Sequence, residues 1–429
     1  MGQSVLMPAG YTRRDGALFC DGVALDTIAD RVGTPVYVYS ANTIRNQYQR
    51  LAVAVEGLPV HVHYSVKANS SLAILALLRS LGAGVDIVSG GELHRALEAG
   101  FAGSDIVFSG VGKTPAELER AVRAGVRSIN VESEGELAVL QDVSHRIGVV
   151  APVVLRVNPD VAVDTPHPYT RTGERGMKFG IPLDRVIAVA RAMSYMTNVK
   201  LIGLASHLGS QIGDATPYAL AAKALVQLKR DIEGENLAQL TTLDLGGGLG
   251  VTDDDGSSLD LGAYADALRI AAAEPGVEIL IEPGRFLVAE SGVLVTRVLY
   301  RKHSGGKEIV ITDAGMNDFI RPSLYASHHA IDSASSDAEP TLRANIVGPV
   351  CESGDFFANN RLIADVAPGE LLVLRATGAY GYSMASNYNS RPRPAEVLVD
   401  GSRFAVITER ESDADLTRRE TFAPDWIED

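Results

Sequence analysis

The sequence predicts an α/β plus all-β protein: a (β/α)8 TIM-type barrel with a C-terminal β-sandwich or β-barrel domain. Three observations lead there. Between residues 60 and 285, eight short β-branched runs alternate with amphipathic helical stretches. Nearly every one of those runs ends in a residue that can bond, titrate or bind an anion. After Phe286 the helical periodicity gives way to strand patterns without regular helices. A chain of 429 residues also exceeds one ordinary core, which favours two domains.

The strand candidates are 60–66, 85–88, 105–108, 128–131, 153–157, 201–206, 242–245 and 277–281. Helical stretches at 71–80, 91–99, 115–124 and 218–233 lie between them. Eight such repeats in about 250 residues suit a barrel. An open doubly wound sheet would want a dinucleotide fingerprint. The string Gly246-Gly247-Gly248-Leu249-Gly250-Val251 does not fit G-x-G-x-x-G, and no Walker lysine follows a glycine cluster. Further on, 294–300, 308–312, 371–376 and 396–407 read as strands, with a hairpin turn at Val399-Asp400-Gly401-Ser402 and a smaller hairpin at 19–23. We therefore assign 36–285 to the barrel, and 1–35 with 286–429 to the β domain. The small, polar segment 332–339 is expected to be a flexible loop.

Composition narrows the function. The formal charge of −14 argues against a nucleic-acid or anionic-membrane partner. Cys20 and Cys351 are the two cysteines, too few for a disulfide framework or a four-cysteine zinc site, and they fit a reducing cytosol. The opening Met-Gly-Gln-Ser-Val-Leu-Met-Pro has no basic region followed by an apolar run, and no stretch reaches membrane-spanning length. A cytoplasmic protein with a small-molecule substrate and no metal is expected.

The C-terminal strand ends of a barrel form its active face. In order they carry Lys67 and Asn69, Asp86 with Ser89, Ser109, Glu132, Arg156 with Asn158, His207 with Ser210, Gly246–Gly248, then Glu282 and Arg285. Lys67 ends the string Val-His-Val-His-Tyr-Ser-Val-Lys-Ala-Asn. Period-two alternation puts His61, His63, Ser65 and Lys67 on one strand face. An ammonium there needs a partner or a lowered pKa, and a desolvated amine can attack a carbonyl to form an imine. Alone, it reads first as a surface lysine on a half-exposed strand, since lysines are mostly exposed. Three glycines let backbone N–H groups approach an anion, and Glu282-Pro283-Gly284-Arg285 follows the next strand. Phosphates in barrels commonly bind after strands seven and eight. A reactive lysine, an anion cradle and a buried glutamate together suggest pyridoxal 5′-phosphate.

At these residues the chain resembles the diaminopimelate decarboxylases, within the fold-type III (alanine-racemase-like) pyridoxal-phosphate decarboxylases. The matching strings are Tyr-Ser-Val-Lys-Ala-Asn (64–69), Asp-Ile-Val-Ser-Gly-Gly-Glu (86–92), Lys-Phe-Gly (178–180), Ser-His-Leu-Gly-Ser-Gln (206–211) and Asp-Leu-Gly-Gly-Gly-Leu-Gly (244–250). They continue through Glu-Pro-Gly-Arg (282–285), Asp-Ala-Gly-Met-Asn-Asp (313–318), Arg-Pro-Ser-Leu-Tyr (321–325), Gly-Pro-Val-Cys-Glu-Ser-Gly-Asp (348–355) and Gly-Ala-Tyr-Gly (378–381). The resemblance implies that Lys67 holds the cofactor, His207 stacks on its ring and Glu282 pairs with the ring nitrogen. It places Ser210, Gly246, Gly247, Gly248, Pro283, Gly284 and Arg285 around the phosphate. Asp86 supports the lysine or histidine, and Tyr380 touches cofactor and substrate. Cys351 would protonate the carbanion and Glu352 would bind the distal ammonium, both from a partner subunit in a homodimer.

The expected reaction is decarboxylation of meso-2,6-diaminopimelate to L-lysine and carbon dioxide, the last step of lysine biosynthesis. Its second carboxylate requires a cation, which Arg321 with Tyr325, alongside Arg285, would supply. Ornithine, arginine or a carboxylated polyamine are the alternative substrates. Two segments depart from the family pattern: the loop 170–177, and Ala326-Ser327-His328-His329 after the tyrosine. Two other functions compete. His61-Val62-His63, with His207, resembles the paired histidines of barrel amidohydrolases. Those two precede Lys67, too deep for the rim, and strand eight lacks the late aspartate. A pyridoxal-phosphate-binding protein without turnover would be signalled by loss of Lys67 or Cys351, and both are present.

Overall fold

The computed structural model describes residues 7, 9–163, 165–167, 172–174, 176–251, 258–424, 426 and 427. Thr170, Arg171 and Arg175 of the atypical 170–177 loop lie outside these. Contacts divide the chain into two compact units, one built on Thr43–Glu290 and the other on Gly10–Asn42 with Ser291–Asp429.

The first unit is a closed parallel barrel. Its strands, one to eight, are Val60–Ser65, Gly84–Ile87, Ile106–Phe108, Ser128–Val131, Ala151–Asn158, Val199–Ala205, Thr242–Asp244 and Glu278–Ile281. Each pairs in parallel with the next, strand five with strand six, and strand eight with strand one, which closes the ring. Both strand faces are buried, so these runs read as near-continuous β-branched and aliphatic segments. Ile129 and Val131, Val153 to Leu155 and Ile279 to Ile281 are all buried. Helices Leu72–Ser80, Gly90–Glu98, Pro115–Ala124 and Thr216–Gly234 fall on the predicted stretches. Pro115–Ala124 starts with Pro at its first position, after a Thr114 cap that accepts from Glu117 N–H, and ends on the left-handed Gly125. That signature makes its boundaries legible in the sequence.

Strand one ends a residue earlier than expected. Val66–Ala68 form a single 3-10 turn, so Lys67 lies past the strand rather than on its face. Tyr64 Oη donates to the Asn69 carbonyl at 2.9 Å and ties this turn down. His61 is also not deep in the barrel. It is exposed at the opposite mouth, 3.9 Å from Glu278, because it belongs to the first pair of residues in the strand.

The second unit is a mostly antiparallel sheet. Val36–Ser40 (Val-Tyr-Val-Tyr-Ser) lies between Gly292–Ser304 and Ala395–Asp400. This strand therefore belongs to the second unit rather than to the 36–285 segment. Its five residues are all buried, and Tyr39 Oη donates to Glu396 Oε1 at 2.7 Å. Ala395–Asp400 and Arg403–Thr408 form the predicted hairpin. The 332–339 segment is not wholly a loop. Ile331–Ser333 pairs with Leu371–Leu374, and Asp332 forms an ion pair with Arg375. Small polar side chains read as a loop, yet their backbone groups still serve to extend an edge strand.

Barrel closure is tightest where glycine faces a neighbouring strand. A Cβ on Gly203, at the register shift of strand six, would lie 2.3 Å from the Thr242 carbonyl oxygen. Gly203→Ala is expected to destabilise the protein by about 1–3 kcal/mol, the usual cost of overpacking. Denaturant unfolding would register this, and an unchanged midpoint would contradict the close approach.

Candidate active site

The barrel gathers most of the sequence-predicted residues at its C-terminal rim. Lys67 Nζ lies 3.2 Å from Asp86 Oδ2, and Asp86 is fully buried. Ser65 Oγ donates to the same oxygen at 2.8 Å, with the Glu282 carbonyl 3.1 Å from the hydroxyl. The lysine is about one-third exposed, so it can be reached from outside. Asp86 therefore supplies this amine with a buried counter-charge.

His207 follows strand six. The residue is partly buried, but its Nδ1 is shut off from solvent and has no hydrogen-bond partner. Burial pushes the imidazole pKa well below its usual value, and the charges on Lys67 and Arg156 add to the effect. A neutral, flat ring results. Arg156 is held by Glu132 at 2.7 Å and lies over the Phe179 ring at 4.9 Å. This places Lys-Phe-Gly 178–180 against the rim.

The glycines after strand seven are fixed by collisions. A Cβ would lie 2.4 Å from the Ser206 carbonyl at Gly246, 2.0 Å from the Glu282 carbonyl at Gly247 and 2.3 Å from the Gly209 carbonyl at Gly248. Gly246 and Gly248 also take positive φ, +67° and +95°. The turn is thus packed as tightly as backbone allows. Tyr218 Oη donates to the Gly247 carbonyl at 3.1 Å. Arg285 Nη2 donates to Ser210 Oγ at 3.1 Å, so a guanidinium and a hydroxyl stand together. Gly284, whose Cβ would lie 3.0 Å from Ser65 Cβ, lets the Glu282–Arg285 corner sit on the Lys67 segment, where Ser65 N–H donates to the Pro283 carbonyl at 3.4 Å.

Glu282 is buried at the end of strand eight. Burial, then the Asp244 and Asp86 carboxylates, push its carboxyl well above the usual range, against the opposing pull of Lys67. Asp244, on strand seven, is likewise pushed up to about 6, mainly by burial. Sequence reasoning gave Asp244 no role, nor Asn130, whose amide donates to Asp244 Oδ2 at 3.2 Å and to Ser109 Oγ at 3.1 Å. The available signal was parity. Asn130 and Asp244 are polar and share their parity with Ser128 and Thr242, so one face of each strand is polar and the other apolar. Glu92 has no role in the sequence reading beyond its place in the 86–92 motif. It accepts from the Val88 N–H at 2.7 Å, and burial pushes its carboxyl up to about 7.

The remaining predicted residues belong to the second unit. The Arg321 guanidinium lies over the rings of Tyr325, at 5.3 Å, and Tyr380, at 5.8 Å. Tyr380 has φ +56°, a backbone conformation that a tyrosine adopts only when its surroundings impose it. Cys351 and Glu352 are exposed, in a turn pinned by Asp355, which accepts from Val350 N–H at 2.6 Å and Met316 N–H at 2.7 Å. Cys351 N–H donates to Asn389 Oδ1 at 2.8 Å.

Comparison with known proteins adds to this geometry. Residues 41–289 match the family model for the pyridoxal-dependent decarboxylase, pyridoxal binding domain. A diaminopimelate decarboxylase from Pseudomonas aeruginosa is 46% identical over 96% of this chain and 99% of its own. One from Neisseria meningitidis is 44% identical over 92% of this chain and 95% of its own. Among solved structures, diaminopimelate decarboxylase from Helicobacter pylori, complexed with L-lysine, is 37% identical with a TM-score of 0.88, covering 92% of this chain and 98% of its own. The chain belongs to the diaminopimelate decarboxylase family of pyridoxal-dependent decarboxylases.

Proposed function

We infer that this enzyme is a carboxy-lyase that converts meso-2,6-diaminopimelate to L-lysine and carbon dioxide with pyridoxal 5′-phosphate as cofactor. The observation that carries the reading is the Lys67 rim, met in a chain 46% identical to a named diaminopimelate decarboxylase over nearly its whole length. L-Lysine, present in the Helicobacter pylori complex, is the expected product.

The residues fit the cofactor. The orphaned Nδ1 of His207 marks a buried ring with polar capacity to spare. The triple-glycine turn leaves no room for side chains; Gly246 N–H is engaged by Asp244 at 2.9 Å, and the N–H groups of Gly247 and Gly248 are those offered to a phosphate. Lys67 is the amine that holds the aldehyde covalently, with Asp86 as its counter-charge. Ser210, Arg285 and Gly246–Gly248 bind the phosphate, and Pro283 and Gly284 shape that corner. His207 packs its neutral ring on one face, and Glu282 stands at the ring nitrogen. When bound, the cofactor supplies the electron sink for the pair left by departing carbon dioxide. Cys351 then delivers a proton to the substrate carbon from its thiol.

Arg321, backed by Tyr325 and Tyr380, grips the distal carboxylate of the substrate, and Glu352 takes the distal ammonium. Arginine suits this because its planar fork matches a carboxylate. A substrate without that carboxylate, such as ornithine, leaves Arg321 unmatched, which disfavours the alternative substrates. The enzyme works as a homodimer in the cytoplasm, each copy lending Cys351 and Glu352 to the Lys67 of the other. The exposure of both side chains on a rigid turn supports this arrangement, and among the described residues no helix is long and apolar enough to cross a membrane.

Three outcomes are expected. Carbon dioxide release should be far faster from meso-diaminopimelate than from ornithine or lysine, and Arg321→Ala should lower kcat/KM for it by about 10–100-fold, the loss of a charged hydrogen bond. Equal rates on the three amino acids would remove the substrate assignment. Purified protein should show the visible absorption of a lysine-bound pyridoxal, and Lys67→Ala should lose it on dialysis; retention would place the attachment elsewhere. Inactive Lys67→Ala and Cys351→Ala subunits should regain part of the activity when mixed and refolded together, whereas no recovery would argue against shared sites.

A further inference from the structure

Asp86, Asp244 and Glu282 lie buried together at the barrel rim, 0%, 1% and 5% exposed. Lys67 stands beside Asp86. Among the described residues neither Asp244 nor Glu282 has a cation within ion-pair distance, and the nearby Arg156 is held by Glu132. The Asp244 and Glu282 carboxyls are joined in one network: the Asn130 amide donates to Asp244 and to Ser109 Oγ, and Ser109 Oγ donates to Glu282. Two such groups in a low-dielectric setting cannot both ionise, so the pair keeps one proton.

The neighbours decide which carboxyl carries it. Asp244 Oδ1 accepts from Gly246 N–H at 2.9 Å, and Oδ2 accepts from the Asn130 amide at 3.2 Å. N–H donors on both oxygens stabilise the anion. Glu282 receives one hydroxyl, Ser109 Oγ, 3.3 Å from Oε1. Strand register enforces the pairing. Asp244 lies beside Leu280, and Glu282 N–H donates to the Gly246 carbonyl at 2.8 Å, so both carboxyls point inward from adjacent strands.

We propose that the Asp244 carboxylate holds Glu282 in its acid form, so that the site meets an incoming pyridine nitrogen with a proton already in place. This rests on the reading that pyridoxal 5′-phosphate seats its ring nitrogen against Glu282. On binding, the O–H bond of Glu282 breaks and an N–H bond forms on the ring. No proton is drawn from solvent, and the positive charge gained by the ring compensates the two carboxylates now left as a pair. Asp244 touches neither ring nor substrate and acts through Glu282; it is a positioning residue. The three-glycine turn and the proton store are therefore one device, since the Gly246 that opens the cradle also donates to Asp244.

Infrared spectroscopy of cofactor-stripped protein, labelled with carbon-13 to separate its bands from those of the ligand, tests this. The measurement is made at mildly alkaline pH, above the range where Glu92 and Asp318, both pushed up to about 7, titrate. A carboxylic-acid carbonyl band should be present, vanish when pyridoxal 5′-phosphate is added, and be missing from Glu282→Gln. Persistence of the band in Glu282→Gln would put the proton on another group and overturn the assignment. In Asp244→Asn the pH midpoint of the band should fall by about one unit or more; an unchanged midpoint would remove the role of Asp244. Should that variant not fold, wild type and Glu282→Gln still decide the proton's location. Visible absorption on the same samples separates the two readings. Failure to take up cofactor removes the cofactor assignment, whereas normal uptake without an acid band in the stripped protein removes only this inference.

Discussion

Pairing of Ile129–Val131 with Val153–Leu155 closes the parallel sheet on itself, and everything at the rim follows from that closure. In an open sheet, residues at eight strand ends would spread along a line. In a ring they converge on one small area, and the two-residue period sends alternate side chains inward together. Asn130, Asp244 and Glu282 meet because the first two occupy inward positions on their strands and Glu282 follows strand eight with the same parity as Leu280, the neighbour of Asp244. Closure also removes sheet edges, so the short three- and four-residue strands have both sides hydrogen-bonded.

Charge is the second organising force. Gathering carboxylates at a buried rim is unfavourable unless cations or protons balance them. Lys67 balances Asp86 and Arg156 balances Glu132. Among the described residues the Asp244–Glu282 pair has no cation within ion-pair distance, a deficit that the proposed cationic ring would offset. The net charge of −14 runs the same way over the whole molecule, so in the proposed site an anionic cofactor would depend on local devices: backbone N–H groups, Ser210 and Arg285.

Much of this was legible in the sequence. Each of the eight barrel strands lies within two residues of its predicted bounds, because most of these buried parallel strands are short β-branched or aliphatic runs with polar residues at or just beyond their ends. Lys67, Glu282 and the triple glycine stood out as strand-end groups before any resemblance was invoked. The misses share a cause. Strand one stops at Ser65 because the Tyr64 hydroxyl and the Asn69 carbonyl favour a tight turn, a side-chain-to-backbone preference that periodicity does not encode. Ile331–Ser333 is a strand through backbone pairing alone. Asp244 has no assigned role in the sequence reading because a polar residue within a predicted strand says little until its partner on the adjacent strand is known.

The strand Val36–Ser40 has its own consequence for how the chain is made. Its partners are Gly292–Ser304 and Ala395–Asp400. As the ribosome releases the N-terminus, four hydrophobic and aromatic residues and a serine emerge without either neighbour. The entire barrel is synthesised before the first partner appears, and nearly the whole polypeptide before the second. Nascent chains must therefore keep this segment from pairing elsewhere, and truncation near Ala395 would leave it with an open flank, a ready point for self-association.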